Sequence, residues 1–427
     1  MPELRIATAN PDGTVPSDAF RRAYIIDGSI RRNGEQLRVT ARLLGEDGEV
    51  LWSQTFDRGM ADLFGVQEAI AASIADTLSV SFDVGANATD SGGTDNPEAY
   101  AAYMEFFAHQ LDFDQTVPLR YLERAVEIDP DYAKALFGLA TAYGNQVTLA
   151  PTPEEANRLL ARQDDASART LAAKPDLWIG HVARGGYELN RKDFVAADRH
   201  MRRAEQLDRG NDPQTRTYLA VYSMQLGRVE KGVALRQSNE MIDPIYRNDP
   251  WKTFDLLMLG RYRDSIDLFE RLDRSGRPGL EGFTFYTFFD YLLMGREEDA
   301  MKFAEQRGLS FGEDLRALRA DRGLPTMSRE ELERSLEGLG QIPIGIRALY
   351  AAYAGQPKLA VKLMRVAFEK PGGFVLFYLW HPIMAEARKT DEFEKLVTDL
   401  GFVKAWRESG DWGDYCRPVS ANEITCT

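Results

Sequence analysis

At 427 residues the chain is longer than one hydrophobic core ordinarily organises, so two or three domains, or a repeat array, are expected. Its 44% hydrophobic and 28% charged residues exclude a disordered polymer. A formal net charge of −14 argues against nucleic acid as a partner, and no apolar run approaches the ~20 residues that cross a bilayer.

Residues 1–82 read as a small α+β domain. Strand candidates lie at residues 4–8 and 24–32, and Asn33-Gly34 then supplies a hairpin turn. The next run alternates, with Leu37, Val39, Ala41 and Leu43 on one face and Arg38, Thr40 and Arg42 on the other, which is the period of a half-buried strand. Asp47-Gly48 makes a second turn and residues 50–56 a third paired strand. A helix is expected over residues 61–79, where Leu63, Val66, Ile70, Ile74 and Leu78 recur every three or four positions. Residues 83–96 are rich in Gly, Ser and Asp and read as a linker. The N-terminal stretch has no basic segment followed by an apolar one, so a cytoplasmic address is expected.

From Pro97 to about residue 400 the pattern is helical and repeats. Gly227, Gly260 and Gly295 stand 33 and 35 residues apart, and Gly355 and Lys192 mark breaks of the same kind. A glycine there lets the chain turn back between two helices through a left-handed conformation. Five residues after each break comes a small residue, Ala197, Gly232, Ser265, Ala300 or Ala360, which allows two helices to approach closely. Four further on stands a larger residue in most units, Met201, Phe269 or Met364; Arg236 and Ala304 depart from this. About seven units are expected, starting near Pro97, Asp131, Asp176, Pro213, Tyr246, Glu281 and Gln341, with residues 308–340 interrupting the array.

These offsets resemble the tetratricopeptide (TPR) pattern. The fold class is therefore expected to be mainly α: a TPR-type α-solenoid, a right-handed superhelix of helix hairpins, with a small N-terminal α+β domain. The array spans residues 97–385, and residues 386–427 form capping helices and a tail in which Trp406 and Trp412 seal the last pair.

A wider resemblance covers roughly residues 4–416. Gly28, Ser29, Arg38, Val39, Leu51, Trp52, Asp57, Phe64, Gln67 and Ile70 are similar to the later half of the TolB-like region. That region precedes repeat arrays in some bacterial adenylate cyclases and winged-helix transcriptional regulators. Phe393, Leu400, Gly401, Trp406, Gly410, Trp412 and Cys416 are similar to the end of those arrays. The region usually opens with another strand and helix, for which this chain is expected to have no room. The cyclase and DNA-binding domains are not in this chain, so their activities are not carried over. The resemblance implies the sensory or interaction portion of a bacterial signalling or regulatory system.

Catalytic and cofactor motifs are lacking: there is no Walker-type or dinucleotide glycine loop and no nucleophile motif. Of the four histidines, His109 and His200 are expected on helix surfaces, and His181 should pack a first helix; no metal ligand set is assigned. Cys416 and Cys426 leave both their pairing and the redox compartment open. The aromatic run over residues 283–291 is expected to be core. The reading is a non-catalytic, cofactor-free scaffold that holds a protein or peptide in its concave groove, lined by Lys134, Phe137, Thr141, Gln214, Thr217 and Val221. The alternative is a ligand-sensing module acting on a separate effector. Self-association is expected, if anywhere, through the N-terminal domain.

Overall fold

The structure is a computed structural model describing residues 25–33, 36–44, 50–59, 70, 92–109, 116–150, 152–208, 213–239, 249–276, 279–308, 344–369 and 376–427. The side chains of His109 and Gln214, residues 4–8 and the expected helix apart from Ile70 lie outside that set.

Strands β1 (Ile25–Asn33), β2 (Gln36–Leu44) and β3 (Val50–Gly59) form an antiparallel meander. The alternation in β2 has its expected consequence. Val39 and Ala41 are buried, and Val39 packs with Phe56, Trp52 and Ile70. The opposite face carries cross-strand pairs: Arg38 grips Asp57 through two hydrogen bonds, and Thr40 meets Thr55 at 3.1 Å. Gly28 opposes Ala41, where a Cβ would meet the Thr40 carbonyl oxygen at 2.3 Å. Asn33 pairs with Gln36 and is the last residue of β1, so it belongs to the strand rather than to the turn expected at Asn33-Gly34.

Of the segment read as a linker, residues 92–96 are docked. Gly92, Gly93 and Thr94 are buried. The Gly92 carbonyl accepts from the Lys134 amide at 2.9 Å, and Thr94 donates to Asp129.

Seven helix hairpins follow among the described residues. They are α1 (Pro97–His109) with α2 (Thr116–Ile128), α3 (Ala133–Leu149) with α4 (Pro153–Ala173), and α5 (Trp178–Asn190) with α6 (Phe194–Asp208). Then come α7 (Pro213–Gln225) with α8 (Val229–Asn239), α9 (Trp251–Met258) with α10 (Tyr262–Arg274), α11 (Thr284–Leu293) with α12 (Glu297–Gln306), and α13 (Ile344–Tyr353) with α14 (Pro357–Glu369). This is the TPR-type α-solenoid with small N-terminal strands.

The hairpin break has one geometry in five units. Gly227 has φ +78°, and its N–H donates to Met224 while the Arg228 N–H reaches back to Ser223, satisfying two end carbonyls of α7. The same pair of bonds recurs at Gly260, Gly295, Gly355 and Lys192, the last a non-glycine residue at φ +66°. The small residue five positions on donates its N–H to the residue just after the break, closing the first turn of the next helix. All five small residues are buried, and at Gly232 a Cβ would stand 2.7 Å from the Ala220 carbonyl oxygen. Thus the sequence offset is the length of one tight turn plus one helical turn. The residue five before each break is also buried: Tyr187, Tyr222, Asp255, Asp290 and Tyr350. Arg236, which departs from the apolar pattern, is buried because it ion-pairs with Asp255 at 2.9 Å.

After α14 the chain runs through α15 (Leu376–Trp380), a 3-10 turn at Pro382–Met384, α16 (Ala385–Arg388), α17 (Asp391–Asp399), α18 (Phe402–Ser409) and a hairpin of β4 (Cys416–Pro418) and β5 (Ile424–Cys426). Trp406 and Trp412 do not seal only the last pair, as the sequence suggested. The C-terminal elements fold back onto the third and fourth hairpins. Phe402 stacks on Phe194 at 4.3 Å, Trp406 Nε1 donates to the Leu226 carbonyl at 3.0 Å, and the Asp414 N–H donates to Gly227 at 2.7 Å. Arg228 is sandwiched between Asp198 and Asp411 at 2.7 and 3.3 Å. The array is therefore clasped on itself. A disulfide joins Cys416 to Cys426 within this clasp.

Candidate interaction site

The proposed groove positions fall on α3 and α7, the first helices of hairpins two and four. Phe137 of α3 meets Trp178 of α5 at 5.7 Å and Tyr218 of α7 at 5.1 Å, both edge to face, while Trp178 and Tyr218 lie 6.4 Å apart. Three successive first helices thus converge on one aromatic floor, a favoured geometry for ring pairs. Phe137 is buried, whereas Trp178 and Tyr218 are half-buried. Lys134, Thr141, Thr217 and Val221 are half-buried around them.

Not every expected residue is equally available. The Thr141 hydroxyl donates to the Phe137 carbonyl at 3.0 Å, and Thr217 accepts from Asn239 at 3.2 Å. Both polar groups are engaged within the protein. Gln214 lies in the first turn of α7. The sequence reading missed Trp178 and Tyr218. The available signal was that each is a large aromatic on a first helix next to, but off, the assumed register.

The later hairpins show what this face accepts. Val221 stands six residues before its break, and Phe254 and Phe289 hold the same position in α9 and α11. Those two are covered by the chain itself: Phe377 of α15 lies 5.5 Å from Phe254, and His381 lies 5.2 Å from Phe289. Tyr378 reaches Phe285, the counterpart of Thr217, at 6.3 Å. Trp380 donates to the Gln225 carbonyl at 2.8 Å at the end of α7. The aromatic run of α11 is core, as expected, with Phe288 and Phe289 fully buried.

Unexpectedly, His181 and His200 are neighbours, their Nδ1 atoms 3.0 Å apart between α5 and α6. Burial, then the adjacent His181, Arg184 and Arg199, hold His200 down to about 4. His381 is buried and pushed down to about 3 by burial and then by Arg388. No group of three or more His, Cys, Asp or Glu positioned for a metal occurs among the described residues, and none of the described helices is long and apolar enough to cross a membrane. A surface hollow of about 430 Å³ lies between α14 and α17, but its Lys358 and Arg365 are held by Glu392 and Asp399 at 2.7 and 2.9 Å.

No family model matches the chain. A Rhizobium meliloti (strain 1021) protein that carries the provisional name adenylate cyclase 3 is 32% identical over 152 residues, 34% of this chain and 26% of that protein. The chain thus spans about a quarter of the length of that relative. Among solved structures, PilF of Pseudomonas aeruginosa is similar with a TM-score of 0.33 and 16% identity, covering 56% of this chain and 97% of PilF. A tetratricopeptide repeat protein of Parabacteroides merdae has a TM-score of 0.33 and 11% identity, covering 68% of this chain and 99% of that one.

Proposed function

We propose that the chain is a non-catalytic protein-binding scaffold that holds a partner segment against α3, α5 and α7. The observation that carries this reading is the partly exposed aromatic floor of Phe137, Trp178 and Tyr218. The corresponding face of α9 and α11 is filled by an apolar helical turn of the same chain, so this kind of surface is suited to a short apolar segment. Lys134 and Gln214 flank the floor in this reading.

The scaffold would serve a bacterial signalling system. The partial similarity to a protein named as a cyclase supports that, together with the resemblance of the residue order across β1–β3 to a TolB-like region. In that setting the N-terminal sheet would be the place of self-association or ligand sensing, and the domain limits at 82, 96 and 385 would separate sheet, array and cap. The Cys416–Cys426 bond pulls against the cytoplasmic address, because structural disulfides persist in oxidising compartments.

The test is affinity capture from the native cell with wild type and with Trp178→Ala/Tyr218→Ala. A partner captured by wild type and lost from the variant, with helical content unchanged, supports the reading. Equal capture by both removes the aromatic floor from the site.

A further inference from the structure

A second surface lies on the outer side of hairpin three. Helix α6 buries Phe194, Ala197, Asp198, Met201 and Ala204. At 100° per residue, Arg199 and Arg203 fall together on the opposite, solvent-facing side, one turn apart. Both are exposed. Two like charges at that spacing repel each other along a helix unless something offsets them.

Among the described residues Arg199 has no carboxylate within ion-pair distance, and Arg203 donates only to the Gln206 amide oxygen at 3.4 Å. The neighbouring arginines differ. Arg184 is matched by Asp164 and by Glu188 at 2.9 Å, and Arg202 by Asp198 at 2.7 Å. The chain has 66 acidic residues against 52 Lys and Arg, so carboxylates are abundant, yet among the described residues none ion-pairs with these two arginines. His200 flanks the arginines and touches His181, giving the patch imidazole edges as well as guanidinium forks.

We propose that Arg199 and Arg203, bordered by the His181–His200 pair, dock an acidic peptide segment of a partner protein. Guanidinium forks take carboxylates in two parallel hydrogen bonds, and carboxylates one helical turn or two extended residues apart would reach both. The imidazoles register the same local field. Burial and then Arg203 lower His181, and Arg184 and Arg199 contribute to the low value of His200. Its two arginines lie on the second helix α6, and only His181 sits on α5 near Trp178, so the arginine variant tests this surface without touching the aromatic floor.

The experiment is fluorescence anisotropy with a short fluorescein-labelled oligoglutamate peptide, read against wild type, Arg199→Glu/Arg203→Glu and the control Arg263→Glu/Arg271→Glu on α10. All four arginines are exposed, so the variants should fold, and circular dichroism verifies this. Binding by wild type at low salt is expected in spite of the chain's net negative charge. It should weaken at least about tenfold in the α6 variant, persist in the control and fall as salt is raised. No binding at low salt, or equal loss in both variants, overturns the proposal. Complete competition by inorganic phosphate at concentrations similar to the peptide would mean a simple anion site, and would overturn it too.

Discussion

Asp290 of α11 accepts a hydrogen bond from the Ser265 hydroxyl of α10 at 2.5 Å, joining hairpins five and six at a buried point. Its other oxygen has no hydrogen-bond partner, and burial, only partly offset by Ser265, raises the carboxyl to about 8. The group is therefore protonated at neutral pH. Its folded value lies above the ordinary ~3.9 of an unfolded chain, so the native state binds the extra proton between the two. Stability from this group is full below pH ~4 and is lost as pH rises toward 8. Asp255, raised to about 7 mainly by burial, acts in the same direction. Asp290→Asn should flatten the alkaline loss by an amount on the order of a few kcal/mol between the two values. Urea unfolding of wild type and variant at pH 6 and pH 9 checks this (both are chosen conditions, about one unit or more either side of neutrality). Parallel changes in the two proteins would mean Asp290 is already ionised.

On the acid side a buried histidine contributes. His381 is buried, its Nδ1 accepts from the Ile383 N–H at 3.2 Å, and its value is about 3. A folded value below the unfolded ~6.5 means that stability is present above pH ~6.5 and drains away as pH falls toward 3. His381→Asn keeps an acceptor for Ile383 but forfeits the ring contact with Phe289. The variant should be less stable at neutral pH and lose less on acidification. Thermal melts from pH 7 to pH 4 (again chosen to bracket ~6.5) would expose an error if both proteins lost stability in step.

How much of this could be read from sequence depends on whether a feature is local. The break glycines, the small residues five positions on and the alternation of β2 were legible, because each follows from a turn or a periodicity within a few residues. Lys192 was legible as a break through its offset to Ala197, although its side chain gives no sign of a positive φ; it is anchored instead on the Phe368 carbonyl. Asp255, Asp290 and Arg236 were not recognised as core, because polar residues earn burial only through partners distant in sequence. The clasp was invisible for the same reason: Arg228 meets Asp411, and Trp406 meets Leu226, across most of the array. On the candidate site, the expected positions do lie on first helices, but Trp178 and Tyr218 emerge only once three helices converge on Phe137.

Backbone strain and crowding can be separated at two glycines. Gly260 has φ +73°, and a Cβ there would have nothing nearer than the Tyr262 hydroxyl at 3.8 Å. Gly260→Val should cost about 1 kcal/mol or more, from the left-handed conformation alone. Gly232 has no such φ, but its Cβ would meet the Ala220 carbonyl at 2.7 Å and Met224 at 2.3 Å. Gly232→Ala should cost about 1–3 kcal/mol by forcing α7 and α8 apart. Chemical denaturation of both variants measures this; a neutral Gly260→Val would place the turn elsewhere, and a neutral Gly232→Ala would mean the hairpin yields.

The clasp should be separable from the rest of the array. Arg228 is almost wholly buried between Asp198 and Asp411, and its Nη2 also donates to the Asp411 carbonyl at 2.8 Å. Removing it by Arg228→Met leaves Asp198 buried with Arg202 as its remaining ionic partner, a loss on the order of 3–5 kcal/mol when one member of a buried pair goes. Asp198→Asn in the same chain should recover part of that loss, since the stranded charge is then gone. The disulfide supports the same region from the other side: Cys416 and Cys426 close a short loop, and Arg388 packs 4.1 Å over Tyr415 beside it while donating to the Thr427 carbonyl at 2.8 Å. Hydrogen exchange should therefore quicken in residues 402–427 and in the Leu226–Arg228 turn, both in Arg228→Met and in wild type under reducing conditions. Helices α1 to α4, which make none of these contacts, should keep their protection. Uniform acceleration along the whole array would show that hairpins and clasp unfold as one unit, and would contradict a clasp that closes over an already folded solenoid.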